Sequence, residues 1–126
     1  MKSLMKLRKI WANAILKFRR AELRITRAQL SGNDSFIDIR YSLSRPDLIK
    51  GRIPIYLIDE KNGQKFQLMN LPKLGEIRTK HSKYQTTGIL LFRNQNGIVK
   101  ANSRVTVVFG SLVAKHIEVK AINMNN

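Results

Sequence analysis

The spacing of apolar residues changes once along this chain, near Glu22, from a helical period to a period of two. Before the change, Leu4, Leu7, Trp11, Ala14, Ile15 and Phe18 recur at intervals of three and four, which puts them on one stripe of a helix. Lys2, Lys6, Lys9, Asn13, Lys17 and Arg20 fall on the opposite arc, and no Gly or Pro interrupts the run. Ser3 offers half of a capping box, because Lys6 rather than Glu or Gln follows three residues later. The pattern predicts a basic amphipathic α-helix over residues 1–21.

After Glu22 the alternation is that of strands with one buried face. Ile37, Ile39, Tyr41 and Leu43 alternate with Phe36, Asp38, Arg40 and Ser42, and Ile53, Ile55 and Leu57 alternate around Pro54 and Tyr56. Pro54 cannot donate to a ladder, so its strand should lie on an edge or begin there. Phe66 and Leu68 mark a short strand. Ile89 to Phe92 is apolar on both faces and reads as central. Val105, Val107 and Phe109 follow, and Val113, Ile117 and Val119 share a face that Lys115 breaks. The stretch Leu23–Leu30 loses phase at Thr26-Arg27, the mark of a bulge.

Turn chemistry separates these runs. Asn62-Gly63 is a hairpin signal, and Gly110-Ser111 suits a two-residue type II′ turn. Ser31-Gly32-Asn33-Asp34 joins the first two strands, and Asn94-Gln95-Asn96-Gly97 ends another. The expectation is a mainly β chain: an antiparallel sandwich of about seven strands over residues 22–122, with a disordered tail at 123–126. A small barrel is the alternative. Asn70 to Thr87 stands apart as a long basic loop, either functional or an irregular crossover between sheets.

The spacing of Phe36–Leu43, Ile53–Asp59, Gly88–Phe92 and Arg104–Val119 resembles an immunoglobulin-like or fibronectin-type-III-like sandwich. The resemblance covers roughly residues 22–120 and rests on strand pattern. It implies a scaffolding or binding module. The Cys–Trp–Cys core of immunoglobulin domains has no counterpart, since the chain lacks cysteine and Trp11 lies outside the strands. No functional residue is carried over from the resemblance.

Several functions are excluded by composition. Without cysteine there is no disulfide, Cys-ligated zinc or thiol nucleophile, and the chain suits a reducing compartment. No apolar run approaches the ~20 residues of a membrane span. The basic start and short apolar stretch Ile10–Leu16 run into Lys17-Phe18-Arg19-Arg20, which is a poor secretion signal. His81 and His116 lack a carboxylate at a spacing that predicts a dyad. His116 and Glu118, two apart on one strand, read as a solvated face. Asp59-Glu60 reads as turn-flanking composition. No phosphate loop, nucleophile elbow or metal-ligand spacing is present. The expectation is therefore no enzyme, no catalytic or metal-binding residue, no cofactor and no small-molecule substrate.

Charge is the positive signal. Lys and Arg number 24 against 8 acidic residues, a net charge of +16. Generic solubility asks for only ~2–8, so a polyanionic partner is implied. Residues 1–24 hold eight basic groups against Glu22, and residues 61–104 hold nine against Glu76. An anionic membrane surface fits an in-plane basic helix. In that reading Leu7, Trp11, Ile15 and Phe18 insert while Lys6, Lys9, Lys17 and Arg20 supply attraction. Lys73, Arg78, Lys80, Lys83 and Tyr84 form a second contact loop. The alternative is nucleic acid, as an RNA- or ribosome-associated protein, with phosphates on the same cations and Tyr84 stacking on a base. An acidic protein partner within a larger assembly, a homo-oligomer, or an apolar stripe folded back on its own sandwich are further readings. The expected location is cytoplasmic, peripheral to the membrane.

Overall fold

The computed structural model describes residues 21–49, 52–71, 75–76, 78–79 and 85–122. The predicted helix, apart from Ala21, and the predicted tail lie outside the described residues. Nine strands are present among them: β1 (Leu23–Ser31), β2 (Phe36–Leu43), β3 (Ile55–Asp59), β4 (Lys65–Gln67), β5 (Asn70–Leu71), β6 (Gly75–Glu76), β7 (Thr87–Arg93), β8 (Arg104–Phe109) and β9 (Leu112–Glu118). One sheet has the order β1-β2-β7, a second the order β4-β3-β8-β9, and β5 and β6 form a two-residue ribbon. Every ladder between them is antiparallel.

Alternation explains why the two large sheets face each other. On β2, Ile37, Ile39, Tyr41 and Leu43 are all buried, as their period of two requires. Leu90 and Phe92 on β7, Ile55 and Leu57 on β3, Phe66 on β4, and Val105, Val107 and Phe109 on β8 join them in one hydrophobic cluster. The result is sandwich-like, with a shared core between two inner faces.

Both edges of the sandwich are stitched. Gln29 and Lys120 form a parallel bridge, in which the Leu30 N–H donates to the Lys120 carbonyl at 2.9 Å and the Lys120 N–H to Ala28 at 2.9 Å. On the other side, Leu68 bridges Phe92, and the Met69 N–H donates to Leu91 at 2.8 Å. These contacts satisfy backbone groups that open sheet edges would expose.

Loops are fixed where the sequence offers residues tolerant of positive φ. Gly32, Asn33 and Asp34 take φ of 56°, 54° and 65° in the β1–β2 turn. Asn94, only 5% exposed, ties that turn to the next loop. Its amide donates to the carbonyls of Asp34 at 2.9 Å and Val99 at 2.8 Å, and its side-chain oxygen accepts from the Val99 N–H at 3.0 Å. At the β8–β9 hairpin Gly110 has φ of 62° and Phe109 pairs with Leu112, as a two-residue turn requires.

Three sequence expectations change. β7 is not central in a ladder: it ends the three-stranded order, and its second apolar row, Ile89 and Leu91, is half-buried. Its free edge is met by Leu68 and Met69 and by Arg78 and Thr79, where Arg78 bridges Leu90 and the Thr79 N–H donates to Ile89 at 2.9 Å. Pro54 directly precedes β3, an interior strand that begins there, the second of the two places the sequence allowed, so the missing N–H falls before the ladder starts. Val113 does not share the inward face of Ile117 and Val119. It is 47% exposed, because the β8–β9 register shifts between Val105 and Val107, and the phase of β9 inverts there. His116 takes φ of 59° at that bulge, which removes it from simple alternation with Glu118. The bulge read at Thr26-Arg27 is present: the β1–β2 register shifts between Ile25 and Arg27.

Candidate functional site

Of the residues singled out for binding, Leu7, Trp11, Ile15, Phe18, Lys6, Lys9, Lys17 and Arg20 lie outside the described residues, as do Lys73, Lys80, Lys83 and Tyr84 of the second loop. Arg78 is described. Its guanidinium sits 5.9 Å from the centroid of the buried Phe109 ring, a cation–π contact that holds it half-buried against the end of the sandwich. Tyr41 packs on the same ring at 5.2 Å. Burial pushes the Tyr41 phenol above its usual range, and the Arg78 charge partly opposes that.

The acids and bases of the chain are distributed unequally. The eight carboxylates lie between Glu22 and Glu118, and residues 1–20 hold seven basic groups and no acid. Within the sandwich, Asp38 pairs with Arg40 at 2.9 Å, Asp47 with Arg45 at 2.7 Å, and Glu118 with Lys120 at 3.0 Å.

The outer face of the three-stranded sheet collects arginines by register. Arg24 stands opposite Ser42, Arg27 opposite Arg40, and Phe36 opposite Arg93. Because Tyr41, Leu43 and Phe92 point inward, these partners point outward. Asp38 is the one acid on those rows, and both of its oxygens accept from Arg40, at 2.9 and 3.2 Å. That bond raises the Arg40 pKa above its usual value. Arg27 donates to Gln29 at 2.6 Å. No carboxylate among the described residues pairs with Arg24, Arg27 or Arg93.

The outer face of the four-stranded sheet is different. Tyr56, Ile58, Val108 and Val113 form an apolar strip across it, and Lys65 covers the Tyr56 ring at 4.1 Å. Arg104 stands opposite Glu118. Glu60 reaches across to the β9 bulge: one oxygen accepts from the His116 N–H at 2.7 Å and from Thr106 Oγ1 at 2.9 Å, while the other lies 3.1 Å from His116 Nδ1. The bonds from His116 first, and then from Thr106, hold the Glu60 carboxyl below its usual pKa. The sequence placed His116 and Glu118 on one solvated strand face and Glu60 in turn-flanking composition. The bulge conformation turns His116 toward Glu60, and Glu118 binds Lys120 instead.

The concave features are shallow. One of about 390 Å³ lies between the bulged parts of β1 and β9, lined by Ile25, Arg27, His116, Ile117 and Lys120 among others. Another of about 470 Å³ is lined by Ala21, Leu48, Ile53, Phe109, Ser111 and Leu112 among others and is of mixed polarity. No group of three metal-ligating side chains occurs among the described residues. No helix among them is long and apolar enough to cross a membrane. Compared with protein families, with curated proteins and with solved structures, the chain matches none.

Proposed function

We propose that this chain is a non-enzymatic docking module that sits on an anionic membrane surface through its basic amphipathic N-terminal segment, with the β-sandwich as its carried scaffold. The observation that supports this most is the charge distribution along the chain: residues 1–20 hold seven basic groups and no acid, whereas all eight carboxylates lie between Glu22 and Glu118. An acid-free basic segment with an apolar stripe suits attachment to a surface bearing negative charge, such as the cytoplasmic leaflet. The apolar positions Leu7, Trp11, Ile15 and Phe18 would enter the interface, and Lys6, Lys9, Lys17 and Arg20 would face headgroups.

The immunoglobulin-like identity of the scaffold belongs to the same proposal. The orders β1-β2-β7 and β4-β3-β8-β9, joined by a parallel contact from β1 to the end of β9, support it. A module of that architecture carries binding surfaces on its faces and loops.

Vesicle flotation tests the reading on the full chain. Binding should require acidic lipid, fall with salt, and weaken severalfold on Trp11→Ala and further when Lys6, Lys9 and Lys17 become Gln, each cation near the surface contributing ~1 kcal/mol. Indifference to Trp11→Ala, together with salt-steep binding to RNA, would instead establish the nucleic-acid alternative.

A further inference from the structure

We infer that the outer face of the three-stranded sheet, carrying Arg24, Arg27, Arg40 and Arg93, is the side of the sandwich that lies against the phospholipid headgroups. This rests on the membrane reading and adds to it the orientation of the body.

Three features of the face carry the inference. Its cations are all arginine, the side chain whose planar fork matches phosphate oxygens bidentately. Arg27 and Arg40 stand directly opposite across the β1–β2 ladder, two adjacent positive charges of which Asp38 answers only one. The single acid of these rows, Asp38, is already engaged by Arg40, so three arginines keep their charge for a ligand. The opposite face sets two acids, Glu60 and Glu118, among Lys65, Arg104 and Lys115, a smaller excess of positive charge.

Chain continuity and aromatic content select a lipid surface over RNA. Arg24 follows Arg20 by four residues, so the arginine rows begin where the basic segment ends. The one aromatic on the face, Phe36, has its ring packed over Gly32, where a Cβ would meet it at 2.7 Å, and is not free to stack on a base. Half-buried Ile89 and Leu91 lie between the cations, on the rows of Arg40 and Asp38.

The chain has no cysteine, so single labels are unambiguous. Thr87→Cys puts a fluorophore on the arginine face and Gln67→Cys puts one on the opposite face, both at exposed positions. With vesicles rich in acidic phospholipid and bearing a headgroup quencher, quenching should be several times stronger at position 87 than at 67. In parallel, Arg24→Gln/Arg27→Gln/Arg93→Gln in the full chain should weaken vesicle binding by about tenfold or more, whereas Lys65→Gln/Arg104→Gln/Lys115→Gln, which removes the same charge, should change it less than about threefold. Circular dichroism confirms that each variant folds. Equal quenching, stronger quenching at 67, or equal losses from the two triple variants overturns the assigned face while membrane docking stands. Failure of the unaltered chain to bind these vesicles overturns the docking reading itself. Tighter binding to single-stranded RNA than to vesicles, with the same triple variant defective, overturns the lipid assignment.

Discussion

On the four-stranded face Arg104 stands opposite Glu118, and Glu60 reaches to the bulge of β9. On the three-stranded face Arg27 stands opposite Arg40. Both faces are the polar half of the same strand alternation, above the same core. The first sets two acids among its cations, and opposite charges across a ladder are worth about 0.2–1 kcal/mol while like charges cost a similar amount. The second places two arginines opposite each other with a single acid, Asp38, which is engaged by Arg40. If the arginine face docks on headgroups as proposed, stability and binding should respond to mutation there in opposite directions.

Variants can break or sharpen this contrast. The largest effect belongs to the shared support. Phe92→Ala removes a fully buried ring from the shared core, at a residue whose backbone also bridges Leu68, and should cost about 3–5 kcal/mol in urea unfolding, dissolving both faces together. Gly88→Ala acts first on the sheet that carries the arginines. Gly88 pairs with Tyr41, and a Cβ there would run into the Tyr41 hydroxyl and ring. A loss of about 1–3 kcal/mol is expected, with hydrogen exchange rising in β2 and β7 before β3 and β8.

Arg27→Gln sharpens the comparison. It removes the positive charge that Asp38, already bound to Arg40, does not answer, so it should change the stability of the isolated protein by less than about 1 kcal/mol while weakening attachment to anionic vesicles. A melting scan beside flotation reads both. The subtlest effect is pH-dependent and confined to the four-stranded face. The Glu60 carboxyl is held below its ordinary pKa by His116 and Thr106, so it adds stability above the ordinary carboxylate range of about 4.3, and that stability is lost as pH falls through its depressed folded value. Glu60→Gln should lower the melting temperature at neutral pH, and the difference should vanish in strong acid.

Much of the body was legible in the sequence because its signals are local. The buried row of β2, the Asn62-Gly63 hairpin, where Gly63 takes φ of 75°, and the bulge near Thr26 all follow from alternation and turn chemistry within a few residues. The misread elements are those that depend on a partner strand. The phase of β9 inverts because β8 imposes a register shift, which leaves Val113 outside. β7 ends its ladder and has only isolated bridges on its other edge, at Leu68 and Arg78, which its run of apolar residues did not reveal. Asn94 looked like loop composition, and its role in tying Asp34 to Val99 depends on a contact sixty residues away.

The candidate site divides in the same way. Charge counted along the chain puts residues 1–24 and 61–104 forward, and residues 25–60 balance to zero, which hides Arg27 and Arg40. The sequence by itself determined the strand content, the inward rows and the excess of cations, because each is written in spacing or in a sum. Only the tertiary structure decided which cations share a face. Register brings Arg93 beside Phe36 and Arg27 beside Arg40, while Asp34, Asp47 and Glu60 are carried away into turns. Electrostatic fields add over distances in space, and a chain that folds back on itself sets those distances without regard to sequence order.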